Sequence, residues 1–244
     1  MTRVKICGVR TVEQALWAAD AGADFVGIMF AESRRRVDPE MASEIVRALG
    51  TPLRELEMEL PPTSYSPAGN SLRSWYEHGV SALERLLKRK RPLTVGVFAG
   101  NDPDYINEIV DECGVDLIQL SGGEPWGQCL LANRQVIKVV HVRAGDNAQQ
   151  VTSRMESGSA IAVLLDKAGD GVLGGTGQTF DWAVAAAVAS TMPLWLAGGL
   201  SSTNVASAIA AVRPWCVDVS SGVETDGVKD EAKIRAFIAA VRGV

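Results

Sequence analysis

Apolar residues recur along this chain in short runs, each followed by a stretch with helical spacing. The runs are Val4–Cys7, Phe25–Phe30, Leu93–Phe98, Leu117–Leu120, Val136–Val142, Ile161–Leu165, Leu194–Ala197 and Cys216–Val219. They are mostly rich in β-branched residues and lack clean polar–apolar alternation, which predicts strands buried on both faces. Helix starts lie between them. Thr11 has Gln14 three residues on, ahead of Ala15, Leu16, Ala18 and Ala19, a capping-box pattern. Asp38-Pro39 and Asp102-Pro103 each set a capping acceptor before a proline at the first helical position. Ser202 and Asp230 precede the helical stretches Asn204–Val212 and Ala232–Arg242, and Gly22, Gly50 and Gly114 stand where helices should stop.

About eight strands alternating with about eight helical segments argue for an α/β protein with a parallel sheet. At 244 residues this predicts a single (β/α)8 TIM barrel over residues 1–244. A doubly wound open sheet is the rival, but no G-x-G-x-x-G follows Val4–Cys7. One stretch breaks the rhythm. Leu49 to Pro92 is too long for an ordinary helix-to-strand connection, so a helical insertion between the second helix and the third strand is expected at about residues 51–92. Leu72, Trp75, Tyr76, Val80, Leu83, Leu86 and Leu87 fall near helical spacing there. A surface helix over the barrel bottom is the plainer reading, a subunit contact the other.

Composition narrows the function classes. Hydrophobic residues make up 47% and charged residues 22% of the chain, which excludes disorder and coiled coil. The formal net charge of −5 leaves no electrostatic footprint for nucleic acid. Cys7, Cys113, Cys129 and Cys216 are scattered, as reduced thiols of a cytoplasmic protein would be. With His78 and His141 as the only histidines, a His-based metal site is not expected. Neither a secretory leader nor a membrane-spanning apolar run stands out.

In such a barrel the chemistry stands at the C-terminal ends of the strands. The first strand ends in Cys7-Gly8, with Lys5 on the same side as Cys7. Cys7 reads as a base or nucleophile, although an arbitrary cysteine is more often a small core residue. Arg34-Arg35-Arg36 follow the second strand; a guanidinium there would hold a carboxylate. Asp166 follows an apolar strand with no helix starting at once, which weakens its reading as a cap. Gly174-Gly-Thr-Gly177, Ala197-Gly-Gly-Leu200 and Asp218-Val-Ser-Ser-Gly222 place glycine-rich turns where barrels commonly bind phosphate.

Taken together in order and spacing, Lys5-Ile-Cys-Gly8, Leu165-Asp166, the Gly174–Gly177 tract with Phe180-Asp-Trp182, Ala197–Leu200 and Asp218–Thr225 resemble the phosphoribosylanthranilate isomerases of tryptophan biosynthesis. The resemblance covers nearly the whole chain apart from about residues 51–92. It implies an Amadori rearrangement of N-(5-phosphoribosyl)anthranilate to the 1-deoxyribulose 5-phosphate by general acid–base catalysis, with no metal and no redox cofactor. By that pattern Cys7 is the base and Asp166 the acid, which must be protonated to act. Arg35, with Arg36 as substitute, grips the anthranilate carboxylate, and Asp218 contacts the substrate. Backbone N–H groups around Gly175, Gly198, Gly199, Ser221 and Gly222 hold the phosphate. The expected partner is the small-molecule substrate alone, with neither membrane nor nucleic acid, and the chain is a monomer or homodimer.

Two positions depart from the pattern. Ser121 and Gly123 stand where the family commonly has His and Asp, which removes one substrate contact. Three other enzymes share the architecture. The phosphosugar epimerase wants histidine ligands near strand ends, whereas His141 lies inside a strand and His78 in the insertion. Indole-glycerol-phosphate synthase wants a catalytic lysine, and the histidine-pathway isomerase an aspartate where Cys7 stands. A dual-substrate isomerase and a non-catalytic metabolite-binding barrel complete the alternatives.

Overall fold

The structure is a computed structural model, and its described residues are 1–56, 71–167 and 182–244. Strand β1 (Arg3–Val9) leads to helix α1 (Val12–Asp20), and β2 (Phe25–Met29) to α2 (Pro39–Ala48). Helix α3 (Leu72–Arg89) then precedes β3 (Leu93–Phe98), followed by α4 (Pro103–Cys113), β4 (Leu117–Leu120), β5 (Val136–Val142) and α5 (Ala148–Thr152). The chain continues through β6 (Ala162–Lys167), α6 (Trp182–Ala189), β7 (Trp195–Leu196), α7 (Val205–Val212) and β8 (Cys216–Val219). A small hairpin of β9 (Glu224–Thr225) and β10 (Val228–Lys229) leads into α8 (Glu231–Arg242). Strands β1 to β8 pair in parallel in chain order, and β8 closes on β1. This is the α/β barrel that the alternating pattern predicts.

Local chemistry sets the element ends. Thr11 Oγ1 accepts from Gln14 N at 3.2 Å, and the Gln14 side chain returns to accept from Arg10 N at 2.9 Å. Asp38 and Asp102 accept from Met41 N and Asp104 N, ahead of Pro39 and Pro103. Gly114 ends α4 at φ +76°, a left-handed conformation that glycine adopts without a side-chain clash. Three elements differ from the sequence pattern. Asp166 lies within β6, not after it. β7 is two residues long, because Pro193 has no N–H to donate before it and Gly198 turns the chain at φ +86° after it. Between β4 and β5 stands the 3-10 segment Trp126–Leu131, without a side-chain cap.

Two apolar layers hold the barrel. One fills the space between strands and outer helices, with Ile6, Val26, Ile28, Ile45, Phe98, Ile118 and Phe237 among its buried members. The other fills the barrel interior towards its bottom, around Phe25, Leu93, Leu117, Leu164 and Trp195. Phe25 and Trp195 rings lie 4.6 Å apart. Helix α3 adds Leu83 and Leu87 to this layer and runs past the entry to β6. Its Trp75 Nε1 donates to Ala160 O at 2.7 Å, and Tyr76 OH to Glu156 O at 2.6 Å. A Cβ on Gly79 would sit 2.0 Å from Ile161 O, so glycine is what lets the helix approach. Glu84 of α3 also pairs with Arg3 at the start of β1. The described helices include none long and apolar enough to cross a membrane.

Candidate active site

The cleft opens at the C-terminal ends of the strands. β1 sets Cys7 in its wall and then turns at Gly8, where φ is +79°. A Cβ on Gly8 would meet Arg35 Cδ at 2.7 Å, so the glycine lets the arginine cross the strand end. Side chains two apart on a strand share a face, which puts Lys5 inside the barrel below Cys7. Gly27 pairs with Cys7 across the β1–β2 ladder. A Cβ there would lie 2.8 Å from Cys7 Sγ and 3.2 Å from Lys5 Cε, so the missing side chain makes room for both groups.

Lys5 is fully buried, and its Nζ donates to Asp218 Oδ2 at 3.0 Å. Burial opposes the Lys5 charge, but Asp218 and Cys7 outweigh it and hold its pKa above the ordinary value. The Cys7 thiol is pushed up by burial, and the pull of Lys5 in the other direction does not cancel the rise. Cys7 is therefore a thiol at neutral pH.

Asp166 stands on β6, three strands around the ring from β1, and lines the same cleft as Cys7. Burial lifts its carboxyl to about 6, with His141 opposing the rise and Asp218 adding to it. Its Oδ1 accepts from Lys167 N at 2.8 Å. Low-dielectric surroundings are the main cause of the rise.

The rim carries the other charges. Arg35 lies in the cleft wall with its side chain 8% exposed. Its Nε and Nη2 donate to Glu224 Oε1 and Oε2 at 2.6 and 2.9 Å, leaving Nη1 outside that pairing. Arg36 is exposed and outside the cleft wall. Lys229 Nζ reaches the same Glu224 Oε1 at 2.7 Å and Ser220 O at 2.9 Å. Burial alone would raise the Glu224 pKa; Arg35 and Lys229 reverse that and hold it at about 2. Glu224 ties the loop after β2 to the loop after β8, and the sequence reading assigned it no role.

Gly198 and Gly199, at φ +86° and +69°, and Ser221 line the cleft between β7 and β8. Among the described residues the N–H groups of Gly198 and Gly199 donate to no carbonyl, which suits this rim to an anion. Gly175 lies outside the described residues. Gly222 does not line the cleft but packs under it, where a Cβ would stand 1.9 Å from Leu200 O. Gly222→Ala is therefore expected to cost about 1–3 kcal/mol of unfolding free energy. Gly127→Ala, with nothing within 4 Å of the added carbon, is the control. Equal denaturant midpoints for the two variants would contradict the packing account.

A family model described as N-(5'phosphoribosyl)anthranilate (PRA) isomerase matches residues 62–240. The N-(5'-phosphoribosyl)anthranilate isomerase of Dehalococcoides mccartyi is 38% identical, over 99% of this chain and 96% of its own length. That of Roseiflexus sp. is 42% identical, over 99% and 98%. A solved phosphoribosyl anthranilate isomerase in complex with reduced 1-(o-carboxyphenylamino)-1-deoxyribulose 5-phosphate is 31% identical, covers 100% of both chains and superposes with a TM-score of 0.70.

Proposed function

The chain belongs to the N-(5'-phosphoribosyl)anthranilate isomerase family, and from that membership we propose how its residues divide the work. The reaction is the isomerisation of N-(5'-phosphoribosyl)anthranilate to 1-(2-carboxyphenylamino)-1-deoxyribulose 5-phosphate, a step of tryptophan biosynthesis. Asp166 gives its proton to the furanose ring oxygen as the C1'–oxygen bond breaks, leaving an iminium. Cys7, as thiolate, takes the proton from C2', and the electron pair neutralises the iminium to an enolamine. Transfer of the O2' proton to C1' then yields the ketone.

Binding divides among the rim groups. The N–H groups around Gly198, Gly199, Ser221 and Gly222 take the phosphate, and Gly175 is assigned to the same cradle on the family pattern. Arg35 takes the anthranilate carboxylate, and Asp218, held by Lys5, faces the sugar. The protein works in the cytoplasm with this small molecule as its partner, a setting that suits its four free, buried cysteines.

The carrying observation is that Cys7 and Asp166 line one cleft, with donors on the β7–β8 rim and Arg35 on another. Turnover by the purified protein, followed as loss of the substrate's anthranilate fluorescence, tests the reaction. Arg35→Ala should raise KM by roughly 10- to 100-fold, as loss of a charge-assisted hydrogen bond predicts, and change kcat little. Arg36→Ala should match the wild type. An unchanged KM in Arg35→Ala would move the carboxylate anchor elsewhere.

A further inference from the structure

His141 is not explained by the roles assigned above. It lines the cleft from β5, paired in register with Asp166 on β6, so the two side chains stand next to each other on the inner face. Its Nε2 is 2.9 Å from the Ser121 carbonyl oxygen. A carbonyl only accepts, so Nε2 carries the proton and, in the neutral ring, Nδ1 is an acceptor. Nδ1 is buried and has no hydrogen-bond partner among the described residues. A buried acceptor left unpaired is costly, and here it belongs to a ring whose orientation is already secured from the other side.

We propose that His141 is a substrate-binding residue, whose Nδ1 accepts a hydrogen bond from a ribosyl hydroxyl beside the ring oxygen that Asp166 protonates. The chemistry of the neighbouring groups selects that donor. Gln119 Oε1 and Asp218 Oδ1 are buried, unpaired acceptors on the same cleft, contributed by β4 and β8. Three acceptors without donors call for a ligand that brings donors. The phosphate and carboxylate of the substrate bring none when ionised and the anilino nitrogen brings one, too few for three acceptors, whereas the sugar brings several hydroxyls. Ser121 then acts through its backbone carbonyl, which sets the imidazole, while its Oγ is occupied by Gln119 Nε2 at 3.1 Å.

The inference rests on the proposed acid role of Asp166 only for which part of the sugar lies near His141. Equilibrium binding separates the two. The probe is reduced 1-(o-carboxyphenylamino)-1-deoxyribulose 5-phosphate, titrated calorimetrically into the wild type, His141→Leu and His141→Asn. Asn places an amide oxygen near the position of Nδ1. The Leu variant should bind roughly tenfold more weakly and show a higher KM with kcat changed less, while the Asn variant stays within about threefold of the wild type. Unaltered thermal midpoints show that both variants are folded. Binding of the Leu variant within about twofold of the wild type, or equal losses in Leu and Asn, overturns the proposal. The same pair of titrations in an Asp166→Asn background keeps the His141 effect readable even if Asp166 proves not to be the acid. Normal turnover by Asp166→Asn would sink that assignment alone.

Discussion

Asp166→Asn should fold, become more stable at neutral pH, and lose turnover by about a thousandfold, since general acid catalysis commonly contributes 10²–10⁴. The two effects have one cause. The carboxyl titrates at about 6 in the folded protein because burial disfavours its charge, against about 3.9 for an unperturbed aspartate. A folded-state pKa above the unfolded one means that the native state holds the proton more tightly. Stability from this group is then complete below the unfolded pKa and is lost as pH rises through about 6. The loss is on the order of 2–3 kcal/mol at pH 7 and above. An amide cannot ionise, so the variant escapes that cost while still accepting the Lys167 N–H through Oδ1. Its thermal midpoint should exceed the wild type's by several degrees at pH 7.5, at about 2–4 °C per kcal/mol for this size, and the gain should vanish near pH 4. A variant that is inactive and less stable at pH 7.5 would point to a structural role instead.

Cys7→Ala should reduce kcat by about 10²–10⁴, the usual contribution of a general base, and leave KM nearly unchanged. Cys7→Ser should recover little, because a hydroxyl is far less acidic than a thiol. The pH dependence follows from the two shifts. Burial keeps Cys7 protonated at neutral pH, while Asp166 is mostly ionised above about 6. The working form is the reverse, thiolate with carboxylic acid. Between the two pKa values the thiolate fraction rises tenfold per pH unit as the acid fraction falls tenfold, so their product is flat. kcat/KM should therefore fall below pH 6, hold level across neutrality, and fall again above the raised pKa of the thiol. Gly27→Ala crowds the sulfur and the Lys5 stem and should depress the plateau without moving the acid limb. A rate that climbs steadily from pH 6 to 9 would show that Asp166 is not the proton donor.

Much of this was legible in the chain. Eight short apolar runs between capped helical stretches required a parallel sheet closed by crossovers, because strands without alternation must be covered on both faces. Cys7 and Asp166 stood out because reactive groups at the ends of apolar runs are unusual and the barrel places such ends around one mouth. His141 was set aside as a residue inside a strand. Its use depends on strand register: only the pairing of β5 with β6 puts it beside Asp166, and only the Ser121 carbonyl settles which nitrogen is free. Ser121 itself read as a lost contact, since a sequence lists side chains and the working group there is a backbone carbonyl.

Local pattern determined what can be read over a few residues: element type, caps and the barrel class, with Cys7 and Asp166 marked as candidates at strand ends. Tertiary structure alone decided the quantities that need distances between remote parts of the chain. Among these are the pairing of Arg35 with Glu224, 189 positions away, and the pairing of Lys5 with Asp218, 213 positions away. The room that Gly27 and Gly222 leave and the direction of each pKa shift belong to the same class. Propensity and periodicity act through neighbours along the backbone, whereas desolvation, Coulomb attraction and steric exclusion act through space, and they take their values only once the barrel has closed.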